Sequence, residues 1–128
     1  MRYFAAPGKL ELEIAAFCEK KKLQWALWPQ MDRYDVEIEF PDGDVWEVDA
    51  KAYRNPIALR TKIQNDNGFP EGEYARGYFV IPNEYTTNQR NYTAIINHAL
   101  ESQKDIKCVT LKSLKAEITR KEAACHNE

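Results

Sequence analysis

The sequence predicts an α/β (α+β) protein, a central mixed β-sheet that contains an antiparallel hairpin and is flanked by helices. Three observations lead there. Residues 33–40, "RYDVEIEF", alternate apolar and polar positions, and "PDG" joins them to a second apolar run, "VWEVDAKAY" (45–53); this is the pattern of a hairpin. Two later β-like runs, "ARGYFVIP" (75–82) and "IKCVTL" (106–111), are each preceded by a helical stretch, the spacing of parallel crossovers. Finally, 128 residues of 44% hydrophobic and 12% aromatic content suffice for one domain, residues 1–128, with a core of its own.

In chain order, "APGKLELEIAAFCEKKK" (6–22) reads as a first helix with Pro7 near its start. Leu10, Ile14, Phe17 and Cys18 form one stripe at helical spacing, and Lys20, Lys21 and Lys22 occupy the last turn, where the helix dipole favours cations. "LQWALW" (23–28) is a strand expected to break at Pro29, and the hairpin strands follow. The next helix is "RNPIALRTKIQN", with Asn55 as N-cap and Pro56 in the first helical position. "DNGFPEG" is a loop, "NQRNYTAIINHALES" one helix with Tyr92, Ile95, Ile96 and Leu100 on one side, and "SLKAEITRKEAA" a last helix capped by Ser113. The order is α-β-β-β-α-β-α-β-α.

The turn residues fix the hairpin register. Pro41 at the second position of a type I turn and a left-handed Gly43 make a three-residue loop with a bulge, which pairs Phe40 with Asp44. Ile38 then faces Trp46 and Val36 faces Val48. On the other face Glu37 meets Glu47 and Asp35 meets Asp49, and Lys51 follows on the side of Asp49. Directly opposed like charges destabilise a sheet, and a divalent cation removes the repulsion, Mg²⁺ being a hard ion that takes one or two carboxylates plus waters. Lys51 then stands where it can orient or deprotonate an attacking water, or stabilise negative charge on a phosphate. The bland alternative is that these charges form the solvated face of an amphipathic hairpin, since D…DxK is a weak motif by itself.

At these residues the sequence resembles the restriction-endonuclease-like superfamily, with its PD-(D/E)xK signature and the same element order. Asp35 matches the first acid, although Tyr34 and not proline precedes it, and "DAK" matches the second element as Asp49 and Lys51. "PGKLE", "LWPQMDRYDVEIEFPDG", "VWEVDAKAYRNP" and "YFVIPNEYTTNQRNY" are similar to the endonuclease-like domain associated with prokaryotic PIWI restriction systems. The resemblance implies a metal-dependent nuclease that hydrolyses DNA phosphodiester bonds in a prokaryotic restriction or antiviral defence system. It implies Asp35, Asp49, Lys51 and Glu11 as catalytic residues, and Mg²⁺ (or Mn²⁺) held by Asp35, Asp49, the Ala50 carbonyl and Glu11. Glu13 is the alternative acid on the first helix.

Arg54, Arg60 and Lys62 are the candidate DNA contacts, against helix entry and a solvated face; Gln64 is an accessory candidate and Trp28 an exposed-contact candidate. Trp46 reads as core. The net charge of −2 is unlike that of a protein living by its grip on nucleic acid alone, so DNA affinity is expected to come from a homodimer or a larger complex with other defence proteins. Arg76, Lys104, Lys107, Lys112 and Lys115 are scattered cations whose grouping depends on the fold. Cys18, Cys108 and Cys125 share no metal-like spacing with His98 or His126; the first two read as small hydrophobes and Cys125 as part of a frayed tail. No apolar run spans a membrane and no secretory layout opens the chain, which predicts a cytoplasmic protein without membrane contact. The rival function is a catalytically inactive subunit of the same fold that binds protein or nucleic acid in a defence complex; a third is a plain α/β binding domain.

Overall fold

A computed structural model describes residues 8–30, 33–69 and 72–126. Its elements are α1 (Lys9–Lys20), β1 (Gln24–Gln30), β2 (Arg33–Glu39), β3 (Val45–Ala50), α2 (Pro56–Asn65), β4 (Arg76–Ile81), α3 (Tyr85–Asn88), α4 (Tyr92–Ala99), β5 (Ile106–Thr110) and α5 (Leu111–His126). The strands form one sheet in sequence order, β1-β2-β3-β4-β5. β1, β2 and β3 are antiparallel neighbours, whereas β4 and β5 run parallel to β3. Mixed sheet, hairpin and flanking helices are those of a restriction-endonuclease-like core.

Strand alternation divides the apolar residues between two layers. Val36, Ile38, Trp46, Val48, Tyr78 and Val80 meet Ile14 and Cys18 of α1 and Leu114 and Ile118 of α5. On the other face Phe79, Ile81, Ile106 and Cys108 meet Leu59 and Ile63 of α2 and Tyr92 and Ile96 of α4. Trp46 is core, as its place opposite Ile38 requires, and Phe40 packs edge-on against it at 4.7 Å. Burial pushes the Cys18 and Cys108 thiols up to about 12, so both are inert packing groups.

Local signals account for most boundaries. Asn55 caps α2, its side chain accepting the Ile57 N–H at 2.8 Å, with Pro56 next. Gly43 has φ +92°, and Phe40 and Asp44 pair through a 2.9 Å bond as the turn residues dictate. Five expectations are corrected. β1 runs through Pro29 to Gln30; it is an edge strand, where a missing N–H is tolerated. β3 ends at Ala50, and residues 51–53 leave it as irregular chain entering the α2 cap. Of the helix expected over 88–102 only α4, Tyr92–Ala99, forms, and a separate short α3 ends at Asn88. Thr110, not Ser113, caps α5: its hydroxyl accepts the Ser113 N–H at 3.2 Å, so the helix starts directly after β5. Cys125 consequently lies in the last turn of α5 and packs against the first core layer. Pro7 lies outside the described residues.

Candidate active site

Asp35 on β2 and Asp49 on β3 are directly opposed in the observed register, and Glu37 and Glu47 are opposed one step along the same face. The two aspartates are 3% and 1% exposed and Lys51 is 6% exposed, and among the described residues these are the buried charged ones. The Lys51 Nζ lies 3.4 Å from Asp49 Oδ2. Its amide donates to the Val80 carbonyl at 2.8 Å, carrying the β3–β4 ladder one residue past the end of β3. Because Asp49 and Lys51 are two residues apart, the pleat sends both side chains to one side; Phe79, the β4 partner of Asp49, identifies that side as the α2/α4 face.

The placement has a simple cause. The apolar packing of α2 and α4 falls on β4 and β5. The corresponding face of the β1–β3 half carries Gln24, Ala26, Glu37, Glu39 and Glu47, exposed or half-buried. Asp35, Asp49 and Lys51 stand where the covered half of the face meets the open half. Two opposed carboxylates are hard oxygen donors of the kind that suits a divalent ion such as Mg²⁺, so the donor set fits such an ion.

The other predicted residues are placed apart. Glu11 accepts the Gly8 N–H at 2.8 Å at the start of α1, and Glu13 lies 4.0 Å from Lys9. α1 packs on the Val36/Val48 face, whereas alternation turns Asp35 and Asp49 to the opposite one. Among the described residues no group of three or more His, Cys, Asp or Glu is arranged to hold a metal. Ala50 pairs with Val80. Arg54 and Gln64 are exposed, Arg60 is half-buried, and Lys62 is held by Asp66 at 3.2 Å. The side chain of Trp28 lies outside the described set; its backbone pairs with Asp35. Lys104, Lys107 and Lys112 are exposed, while Arg76 sits over the Trp46 ring at 5.8 Å and Lys115 over Phe17 at 5.5 Å. His98 pairs with Glu101 at 2.9 Å.

One contact near the site escaped sequence reasoning. The Tyr92 hydroxyl on α4 donates to the Tyr53 carbonyl, two residues beyond Lys51. Tyr92 belongs to an apolar helical stripe, which accounts for its ring and leaves its hydroxyl silent. No local pattern announces a bond between residues 39 positions apart.

Residues 8–125 match the family described as "REase associating with pPIWI_RE". The chain belongs to this family. Membership of the pPIWI_RE-associated REase family makes it a restriction-endonuclease-type domain linked to prokaryotic PIWI systems, in keeping with the mixed sheet and with the D…DxK residues brought together here. No curated protein matches the chain. No helix among the described residues is long and apolar enough to cross a membrane.

Proposed function

We propose that this pPIWI_RE-associated domain is a Mg²⁺- or Mn²⁺-dependent nuclease that hydrolyses DNA phosphodiester bonds as part of a defence complex. The observation that carries the reading is the buried trio: Asp35 opposite Asp49, with the Lys51 ammonium 3.4 Å from Asp49. Asp35 and Asp49 would hold the ion through their carboxylate oxygens, with the Ala50 carbonyl beside them. When bound, the ion supplies Lewis-acid stabilisation of the charge that develops on the phosphate. Asp49 orients Lys51 through their ion pair. The Lys51 ammonium stabilises negative charge on the attacked phosphate and can orient the attacking water. Burial strengthens both effects, because little water screens the charges.

Substrate affinity has to come from elsewhere. Glu37, Glu39 and Glu47 share the face next to the trio, and they repel a phosphate backbone. Arg54 and Arg60, on the approach to α2 and on α2 itself, are cations on this side for which no carboxylate partner is shown among the described residues, in contrast to Lys62. The family's pPIWI_RE partner, or a second copy of the chain, supplies the remaining phosphate contacts.

The test is plasmid and linear DNA incubated with protein and Mg²⁺ or Mn²⁺, with and without the pPIWI_RE partner, alongside Asp49→Ala and Lys51→Ala. Divalent-dependent cleavage by the wild type and its loss in both folded variants is the expected result. Equal behaviour of all three proteins in the presence of the partner overturns the proposal in favour of an inactive binding subunit. Calorimetric titration with Mn²⁺ reads the site without a substrate: binding is lost in Asp35→Ala.

A further inference from the structure

Lys51 owes its position to a stretch of chain with no ladder of its own. β3 ends at Ala50 and α2 begins at Pro56. Among the described residues, the intervening stretch is tied at three points: the Lys51 N–H on the Val80 carbonyl, the Tyr53 carbonyl under the Tyr92 hydroxyl, and the Asn55 cap. The first tie fixes the Lys51 amide and the third fixes the helix start. Only the second comes from a side chain of another element.

Tyr92 suits the task. It is fully buried in the α2/α4 layer, where its ring contacts Tyr85 at 6.3 Å and packs with Leu59, Phe79 and Ile96. Tyr53 packs partly buried against the same cluster. Burial raises the Tyr92 hydroxyl above its usual range, with Cys108 and Tyr85 adding to the effect, so it remains a proton donor at every working pH. α4 is itself anchored to the sheet by a separate device. The Asn97 side chain accepts the Cys108 N–H at 2.7 Å and donates to the Cys108 carbonyl at 3.1 Å, gripping β5.

We propose that Tyr92 is a positioning residue for Lys51: its hydroxyl, bonded to the Tyr53 carbonyl, holds the residue 51–53 segment so that the ammonium stays over Asp49. The inference rests on the nuclease reading for its catalytic consequence but not for its structural one. Removing the hydroxyl leaves the Tyr53 carbonyl without this donor and lets the segment shift, and small displacements of a reacting group are costly in rate.

Two measurements test it on the full chain, with partner wherever cleavage requires one. In the first, Lys51 is labelled with an amine-acetylating reagent and followed by peptide mass spectrometry. Tyr92→Phe raises its labelling rate roughly tenfold, the worth of one net hydrogen bond. Asn97→Ala, which loosens α4 from β5 but leaves the Tyr92–Tyr53 bond, does not. Equal labelling in wild type and Tyr92→Phe overturns the inference, and so does an equal rise in Asn97→Ala, which would mark general loosening. In the second, Tyr92→Phe lowers kcat about tenfold with KM for DNA unchanged. An unchanged kcat, or a loss carried by KM alone, overturns the positioning role. If the wild type cleaves nothing even with its partner, the nuclease reading falls, and the labelling comparison still decides whether Tyr92 holds Lys51.

Discussion

Replacing Lys51 by Met removes the ammonium while keeping most of the apolar stem, and the structure sets the size of the result. Lys51 Nζ and Asp49 Oδ2 are 3.4 Å apart, with side chains 7% and 2% exposed. At an effective dielectric constant of about 20, unit charges at that separation attract by about 5 kcal/mol. Removing the cation also relieves its own desolvation, which offsets part of that loss. What remains is Asp49 buried without its cation and facing Asp35 across the ladder, a second cost of the same sign. The expected net loss is about 3 kcal/mol, the usual size when one partner of a buried pair is removed. For a chain of 128 residues that is a fall of about 10 °C in Tm. Urea denaturation in chelator at neutral pH measures it, with the double variant Asp49→Asn/Lys51→Met as the decisive comparison. Neutralising both partners removes the stranded charge and the opposed pair together, so the double variant recovers to within about 1 kcal/mol of wild type. A Lys51→Met protein within about 1 kcal/mol of wild type refutes the reasoning, as does a double variant weaker than Lys51→Met alone.

Asn97→Ala removes both bonds to Cys108 and is expected to cost about 2 kcal/mol, with faster amide exchange at Cys108 read by hydrogen–deuterium exchange. At the far end of the hairpin, Lys121 of α5 reaches Asp42 and Asp44 at 2.6 Å each. Its hydrogen bonds to Asp42 and Asp44 raise it from 10.5 to about 12, so its contribution is complete below about pH 10.5 and fades as the pH rises through 12. Asp42 is lowered from 3.8, first by the Lys121 hydrogen bond and then by the Asp44 N–H, so its share is present above that value and is lost as the pH falls below it. Lys121→Met should therefore lower Tm throughout the neutral range and lose its difference from wild type at both extremes; a deficit that is the same at every pH would mean packing rather than charge.

Much of the architecture was written in local chemistry. The turn "PDG" and the alternation of residues 33–40 determine the register that opposes Asp35 and Asp49, because a strand has a period of two and a one-residue slip exchanges its faces. Asn55–Pro56 likewise marks the start of α2, since an N-cap and its proline act within one turn. Cases that depended on neighbours were read less well. The missing donor of Pro29 predicts a break, but β1 is the sheet edge and accommodates it. Ser113, with Ala116 and Glu117 following, has the pattern of a cap, but Thr110, at the very end of β5, reaches the Ser113 N–H and starts the helix earlier.

By itself, then, the sequence determined the succession of the five strands, the hairpin register, the core role of Trp46 and the shared face of Asp49 and Lys51, all of which follow from backbone periodicity and turn geometry over a few residues. Only the tertiary structure decided that this face is buried at the trio and open beside it, because that depends on α2 and α4 packing over β4 and β5 alone. It also decided that α1, and Glu11 with it, packs against the opposite face of the sheet. The Tyr92–Tyr53 bond belongs to the same class: two residues 39 apart meet only because parallel crossovers stack their helices on one side of the sheet, a consequence of chain topology that no short pattern encodes.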